Sequence, residues 1–284
     1  MKNHRGFGFG VIALTYIIAT LVGITVFNAV NGLLYIRVLL ADIAATIVVY
    51  IVGLIFNNAS IYDPYWSVQP IVIALSLCIY FKTFNAGILM LLFAICLWGL
   101  RLTANWAVTF TNLSIQDWRY ENFQQTYPRL FPLISLLGIH MFPTLVVFLA
   151  LLPAIAMIEN GLSNKLPIVG LCICLAAIFI QLFADRQMQQ FRRHRTDKNQ
   201  LIRTGLWKYA RHPNYLGEIL MWWGVYVMML AVSPQKWVLG VGAVVNTIMF
   251  FTVSIPMAEK RNSEKPGYAA YKQETRCLLP IKKA

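Results

Sequence analysis

Charge is scarce in this chain. Only 12% of its 284 residues are Asp, Glu, Lys or Arg, about half the share of a soluble domain. Acids are the scarcer sign, 11 against 24 Lys and Arg, so the formal charge is +13. There is no Walker loop and no GxGxxG fingerprint, which excludes a soluble-type nucleotide fold. The four histidines have no zinc spacing, and no metal site is expected. The five cysteines, Cys78, Cys96, Cys172, Cys174 and Cys277, form no CxxC pair. The first four lie in apolar runs and read as small core hydrophobes rather than ligands or disulfides. No A-x-A-like cleavage site follows the first apolar stretch, so that stretch is expected to remain as a helix.

What the chain has in quantity is apolar surface. Apolar residues make up 58% of it, which a soluble core cannot use without exposing large patches. The bilayer is the natural solvent. Apolar runs of spanning length fall at about 9–29, 37–56, 65–82, 86–107, 132–158, 166–190, 214–232 and 236–256. The third carries Pro70, and only Ser233, Pro234 and Gln235 separate the last two, as in a tight helical hairpin. The expected fold is therefore all-α: a polytopic membrane helix bundle of about eight spans, with seven as the alternative, in a single domain over 1–284. With eight spans, nineteen Lys and Arg fall on one side and four on the other, with Arg101 inside span four. Such asymmetry marks the cytoplasmic side and puts both termini there, in what reads as a bacterial inner membrane. It also accounts for the positive charge without nucleic acid, and no obligate protein partner is evident.

Ionisable residues within or beside a span are functional candidates. Here they are Asp42, Asp63, Arg101, Asp185, Arg186 and Glu218, with His140 as the histidine inside a span. Asp42 and Arg101 are a possible pair, as are Arg101 and Asp63. His140 reads as a packed histidine or hydrogen-bond bridge. On span six, Gln181, Asp185 and Arg192 share a sector of about 40°, so an amide, a carboxylate and a guanidinium form one stripe. A solvated helix end is the plainer reading of Arg192 and Arg193. In the segment from Gly205 to Glu218, Arg211 and His212 stand just before Pro213, a residue suited to the first turn of a helix. Asn214 and Glu218 follow one turn apart, and Trp207, Tyr209 and Tyr215 interleave with the charges. Donors beside a helix start suit phosphate; a loop docked on lipid headgroups is the plainer reading. The tail, with Glu259, Lys260, Arg261, Tyr268, Tyr271, Arg276 and Pro280, either folds back over this segment or is solvated. At the mouth of span three, Tyr62, Asp63 and Tyr65 could donate hydrogen bonds to a substrate carbonyl, and Asp63 before Pro64 also suits a helix cap.

These residues carry a resemblance. Gly205-Leu-Trp207 followed by Arg211-His-Pro-Asn-Tyr-Leu-Gly-Glu218 resembles the C-terminal signature of the steroid 5α-reductase family. Asp63-Pro-Tyr-Trp66, Trp98-Gly-Leu-Arg101, Asp117-Trp-Arg-Tyr120 and Glu259-Lys-Arg261 resemble a bacterial branch of it, and the likeness covers about residues 60–281. The Arg-His-Pro-Asn-Tyr core is shared with sterol reductases and isoprenylcysteine carboxyl methyltransferases. The resemblance implies a membrane reductase with NADPH in a cytosol-facing cavity. By motif position it implies cofactor contacts at Asn214, Glu218, Asp185 and Arg192, with Gln181 where an Asn is usual, and it places Asp63 near the family's catalytic carboxylate. Trp98 falls near the family's catalytic tyrosine, and Met257, Glu259, Lys260 and Arg261 replace a His- and Tyr-rich helix end.

Together these readings lead to an expected function: NADPH-dependent reduction of a conjugated C=C bond in an apolar lipid, for example a 3-oxo-Δ4 steroid. Asp63, Tyr62 and Tyr65 are the candidate catalytic residues. Gln181, Asp185, Arg192, Arg211, His212, Asn214, Tyr215, Glu218 and Arg261 are the cofactor candidates, and Arg193 and Arg195 join Arg192 and Arg261 for the extra phosphate. The alternatives are an S-adenosylmethionine-dependent membrane methyltransferase and a lipid-binding or transport protein.

Overall fold

A computed structural model describes residues 2–161 and 166–282. Lys165 and Lys283, both part of the charge asymmetry, lie outside the described residues. Among the described residues, eight helical stretches are long and apolar enough to cross a membrane: Arg5–Ala29, Leu34–Phe56, Ala59–Phe81, Ala86–Thr109, Phe131–Asn160, Ile168–His194, Pro213–Val232 and Pro234–Ser263. The polytopic all-helical expectation is met.

The helices are α1 (Arg5–Ala29), α2 (Leu34–Phe56), α3 (Tyr65–Phe81), α4 (Ala86–Thr109), α5 (Trp118–Thr126), α6 (Phe131–Ile134), α7 (Phe142–Asn160), α8 (Ile168–His194), α9 (Pro213–Val232), α10 (Val241–Met249), α11 (Ile255–Ser263) and α12 (Tyr268–Glu274). A 3₁₀ turn at Ala59–Tyr62 leads into α3. π-helical turns at Ser135–Met141 and Phe250–Ser254 interrupt the fifth and eighth stretches. The chain forms two compact units, Met1–Phe84 with Trp98–Glu159, and Asn85–Leu97 with Asn160–Ala284.

In the first unit, α1, α2 and the start of α3 enclose a core of Ile12, Ala19, Ala45, Val49, Ile61, Tyr62, Tyr65 and Leu113. The loop before α5 is tied to the mouth of α3. Asn58 Nδ2 donates to Leu113 O and Ile115 O, and Ala59 N donates to Gln116 Oε1.

The second unit is organised by the antiparallel pair α8 and α9. Lipid offers apolar side chains nothing that it does not also offer each helix alone, so small residues that let backbones approach govern such pairs. Here they are Gly170, Cys174 and Ala177 on α8 against Gly217 and Gly224 on α9. A Cβ at Gly170 would lie 2.4 Å from Met228 N and 2.6 Å from Gly224 O. One at Gly224 would lie 2.5 Å from Cys174 Sγ. After α9, Ser233 and Pro234 turn the chain as expected, and Trp223 Nε1 donates to Thr247 Oγ1 at 3.0 Å to hold α10.

Candidate functional site

The first unit gathers the residues at the mouth of the third span. Tyr62 is buried, and its hydroxyl pairs with Thr144 Oγ1 at 2.8 Å, which in turn lies 3.2 Å from Thr46 Oγ1. The Tyr62 ring lies 5.6 Å from Tyr65 and 4.9 Å from His140. Asp63 does not cap α3. The cap here is Asn58, whose side chain accepts from Ser60 N at 2.8 Å and starts the 3₁₀ turn. Asp63 Oδ1 instead accepts from the Tyr120 hydroxyl at 2.9 Å. Burial, then the neighbouring Asp63 charge, raises the Tyr120 phenol above its ordinary range, so it stays a donor. Asp42 accepts from Gln69 Nε2. The partners of the two carboxylates are thus Gln69 and Tyr120 rather than Arg101.

His140 proves to be a bridge with one free end. Its Nδ1 lies 2.8 Å from Ser135 O. A carbonyl can only accept, so Nδ1 carries the proton, and Nε2 is a bare acceptor, buried and without a partner. It sits on the π-helical turn at Ser135–Met141, a distortion that recurs at functional sites.

In the second unit the predicted motif folds as one piece. Gly205 adopts φ +58°, and Gln187 packs against it, accepting from Leu206 N at 2.9 Å. Trp207 Nε1 reaches Ala184 O on α8 at 3.0 Å. Pro213 opens α9. Asn214 is half-buried on the first turn, and Glu218 is buried one turn deeper. Gln181 is 1% exposed, with neither amide atom paired, and its Cγ lies where a Cβ on Gly217 would be. Tyr215 stacks on His212, centroids 5.2 Å apart and planes 6° apart.

The tail folds back over this motif. Ala210 and Arg276 form a parallel bridge, with Arg211 N donating to Arg276 O and His212 N to Cys277 O. Tyr271 donates to Trp207 O at 2.6 Å. Arg211 is committed to this latch: it contacts Glu259 Oε1 from Nε at 2.8 Å and from Nη2 at 2.7 Å, and Nη1 donates to Thr275 O. Lys272 Nζ takes Glu259 Oε2 at 2.6 Å. Arg211 therefore holds the tail, where the sequence suggested a phosphate contact. Ligand atoms of His212, Glu259 and Cys277 come within 4.8 Å of one another. With two cations already on the carboxylate, this set fits an ion-pair latch and not a metal ion. Burial, reinforced by Arg211 and Lys272 against the opposing pull of Glu259, lowers His212 to about 4.

Beside the latch, cations converge. Burial first, then the field of Arg261, Arg195 and Arg192, pushes the Lys265 ammonium below its ordinary value. Arg192 in turn lies in the field of Arg195, Arg261 and Asp185. Lys265 was not singled out in the sequence. Its signal was the repeat of cations at 260, 261 and 265 along one tail segment. Arg193 is exposed and is not among the cations acting on Lys265.

A family described as "Protein of unknown function (DUF1295)" matches residues 49–275. An uncharacterized protein of Schizosaccharomyces pombe is 26% identical over 251 residues, which covers 79% of this chain and 73% of the relative. No solved structure matches.

Proposed function

The chain belongs to the DUF1295 family, and we propose that it is an NADPH-dependent reductase of a conjugated C=C bond in an apolar lipid, such as a 3-oxo-Δ4 steroid. The observation that carries this reading is the gathering of four cations, Arg192, Arg195, Arg261 and Lys265, with the acid Asp185 among them. Like charges repel, so such a cluster costs stability unless an anion joins it. The dense charge of nucleotide phosphates supplies that anion. A sulfonium cofactor carries no phosphate, so the cluster disfavours the methyltransferase alternative. The orphaned amide of Gln181 and the carboxylate of Glu218 suit the polar edge of a nucleotide, and the Tyr215–His212 stack offers a face for a planar ring.

NADPH, when bound, supplies the hydride. Arg192, Arg195, Arg261 and Lys265 would hold its phosphates, Asn214 and Glu218 would orient it, and the latch would fix the loop that leads into α9. In the first unit, Asp63 in its protonated form, with Tyr62 or Tyr65, would donate a hydrogen bond to the substrate carbonyl as charge builds there. The charge asymmetry supports cytoplasmic termini and a cytosol-facing cofactor site, in keeping with a multi-pass protein of a bacterial inner membrane. Titration of the purified protein with NADPH, followed by nicotinamide fluorescence, tests the reading. Glu218→Gln and Asn214→Ala should each weaken binding by about 1–3 kcal/mol. Unchanged affinity in both would reject this placement, and S-adenosylmethionine binding without NADPH binding would reject the reductase.

A further inference from the structure

A half-open cavity of about 350 Å³ lies in the first unit, walled by α1, α2 and α3. It falls in the range of small-molecule pockets, roughly 300–1,000 Å³. Most of its wall is apolar, with Ala19, Ile24, Val38, Ala45, Val72 and Leu77 among the lining residues. Two buried polar side chains, Asp42 and Gln69, also line it, 3% and 4% exposed. They face each other, with Gln69 Nε2 donating to Asp42 Oδ2. That contact leaves Asp42 Oδ1 and Gln69 Oε1 buried without a partner. Gln69 Oε1 can only accept a hydrogen bond, and both atoms sit well inside spans, where no bulk water can satisfy them. Tyr65, a candidate catalytic residue, lines the same cavity.

We infer that this cavity binds an apolar lipid that carries a hydroxyl group, and that the hydroxyl donates to Gln69 Oε1 beside Asp42. Apolar walls select the hydrocarbon body. The free Gln69 Oε1 selects a donor, because a ligand without one would leave this buried oxygen unsatisfied. An ether or a second carbonyl at that end could not donate. The inference deepens the reductase reading by adding a hydroxyl to its apolar substrate, and it rests on that reading to that extent. Its test uses neither nucleotide nor turnover, so each can fail alone.

The full chain in phosphatidylcholine nanodiscs is photolabelled with a diazirine-bearing hexadecanol and, separately, with its methyl ether. Labelled peptides are mapped by mass spectrometry and normalised to labelling of the lipid. The alcohol should label α1–α3 peptides about tenfold more than the ether, the selectivity of one buried hydrogen bond. Unlabelled hexadecanol, but not hexadecane, should compete. In the Asp42→Val, Gln69→Leu double variant, which removes both polar side chains, the ratio should fall to about one. Equal labelling by the two probes in the wild-type chain would overturn the inference without any variant. A ratio that persists in the folded double variant would overturn the assignment to these residues.

Discussion

Tyr120 donates its phenolic hydrogen to Asp63 Oδ1 at 2.9 Å, from 57 positions further along the chain. The contact ties α5 to the mouth of the third span, where Asp117 N also donates to Ser60 Oγ at 2.8 Å. Asp63 is therefore oriented by a neighbour instead of serving as a helix cap. A carboxyl held in this way suits a group that must meet a carbonyl in one geometry.

The catalytic prediction follows from that contact. Asp63→Asn should lower single-turnover NADPH oxidation with a 3-oxo-Δ4 steroid by about 10²–10³, the loss typical of one oxyanion donor. NADPH affinity should hold, because the benefit arises as charge develops and not on binding. Tyr120 acts through Asp63 as a positioning residue. Tyr120→Phe should slow the same step by about tenfold, the effect of one hydrogen bond, and should shift the alkaline limb of the rate–pH profile, where a donor carboxyl loses its proton. A wild-type rate in Asp63→Asn would move the donor role to Tyr62 or Tyr65. Because the Tyr62 hydroxyl is already paired with Thr144 while Tyr65 lines the cavity, Tyr65→Phe would be the next variant to assay.

The phosphate prediction separates NADPH from NADH. Lys265→Gln and Arg261→Gln should each raise the NADPH Kd by about tenfold while NADH stays within about twofold. The NADPH value should also climb with salt, as screening weakens the cation field. Equal losses for the two nucleotides would place these cations on the shared pyrophosphate instead. Isothermal titration at two salt concentrations decides the matter.

The spans, their number and the hairpin at Ser233–Pro234 were legible because hydrocarbon length and hydropathy dictate them directly. The 205–218 motif was legible because Gly205, Pro213 and the polar residues between them are local signals. What was not legible is long-range pairing. Glu259 meets Arg211 across 48 positions, and nothing in either segment specifies the other, so Arg211 read as a phosphate ligand. Asp63 before Pro64 satisfies the local rule for a cap, yet Asn58 takes that role because the 3₁₀ turn begins four residues earlier. Gln69 was hidden in an apolar run, and its partner Asp42 is on another helix. Local chemistry therefore placed the elements, whereas the pairings that shape each site depend on tertiary contacts.

The latch makes a prediction about pH. His212 is buried, and its folded value of about 4 lies below the ordinary 6.5. The docked state therefore binds fewer protons than the undocked one between these values. Docking is unaffected above pH 6.5, weakens as pH falls from 6.5 to about 4, and levels off below. The full loss is about 3 kcal/mol at most. Glu259, Arg211, Lys272, Cys277 and the Tyr215 ring surround the imidazole. Hydrogen exchange across 268–277 at pH 7 and pH 5 should show faster opening at the lower value. His212→Gln, which cannot titrate, should flatten that difference. An equal pH response in the variant would assign the effect to the carboxylates instead.

The last prediction concerns the close crossing of α8 and α9, on which the second unit's motif stands. A methyl group at Gly170 would meet backbone, 2.4 Å from Met228 N and 2.6 Å from Gly224 O. Backbone cannot rotate away as a side chain can, so the helices must separate. Overpacking of this kind costs typically about 1–3 kcal/mol, and here it also opens the small-residue contact that substitutes for a hydrophobic driving force in lipid. Gly170→Ala should therefore lower the detergent Tm clearly. It should also weaken NADPH binding, because α8 carries Gln181, Asp185 and Arg192 and α9 carries Asn214 and Glu218. Gly10→Ala is the control. It lies inside α1 with nothing within 4 Å of the new methyl, and a glycine in mid-helix is about 0.5–1 kcal/mol less favourable than alanine. That change should leave the Tm level or raise it, and leave the nucleotide Kd unchanged. If Gly170→Ala melts and binds like Gly10→Ala, the α8–α9 crossing is looser than these distances imply, and the positioning role given to it fails.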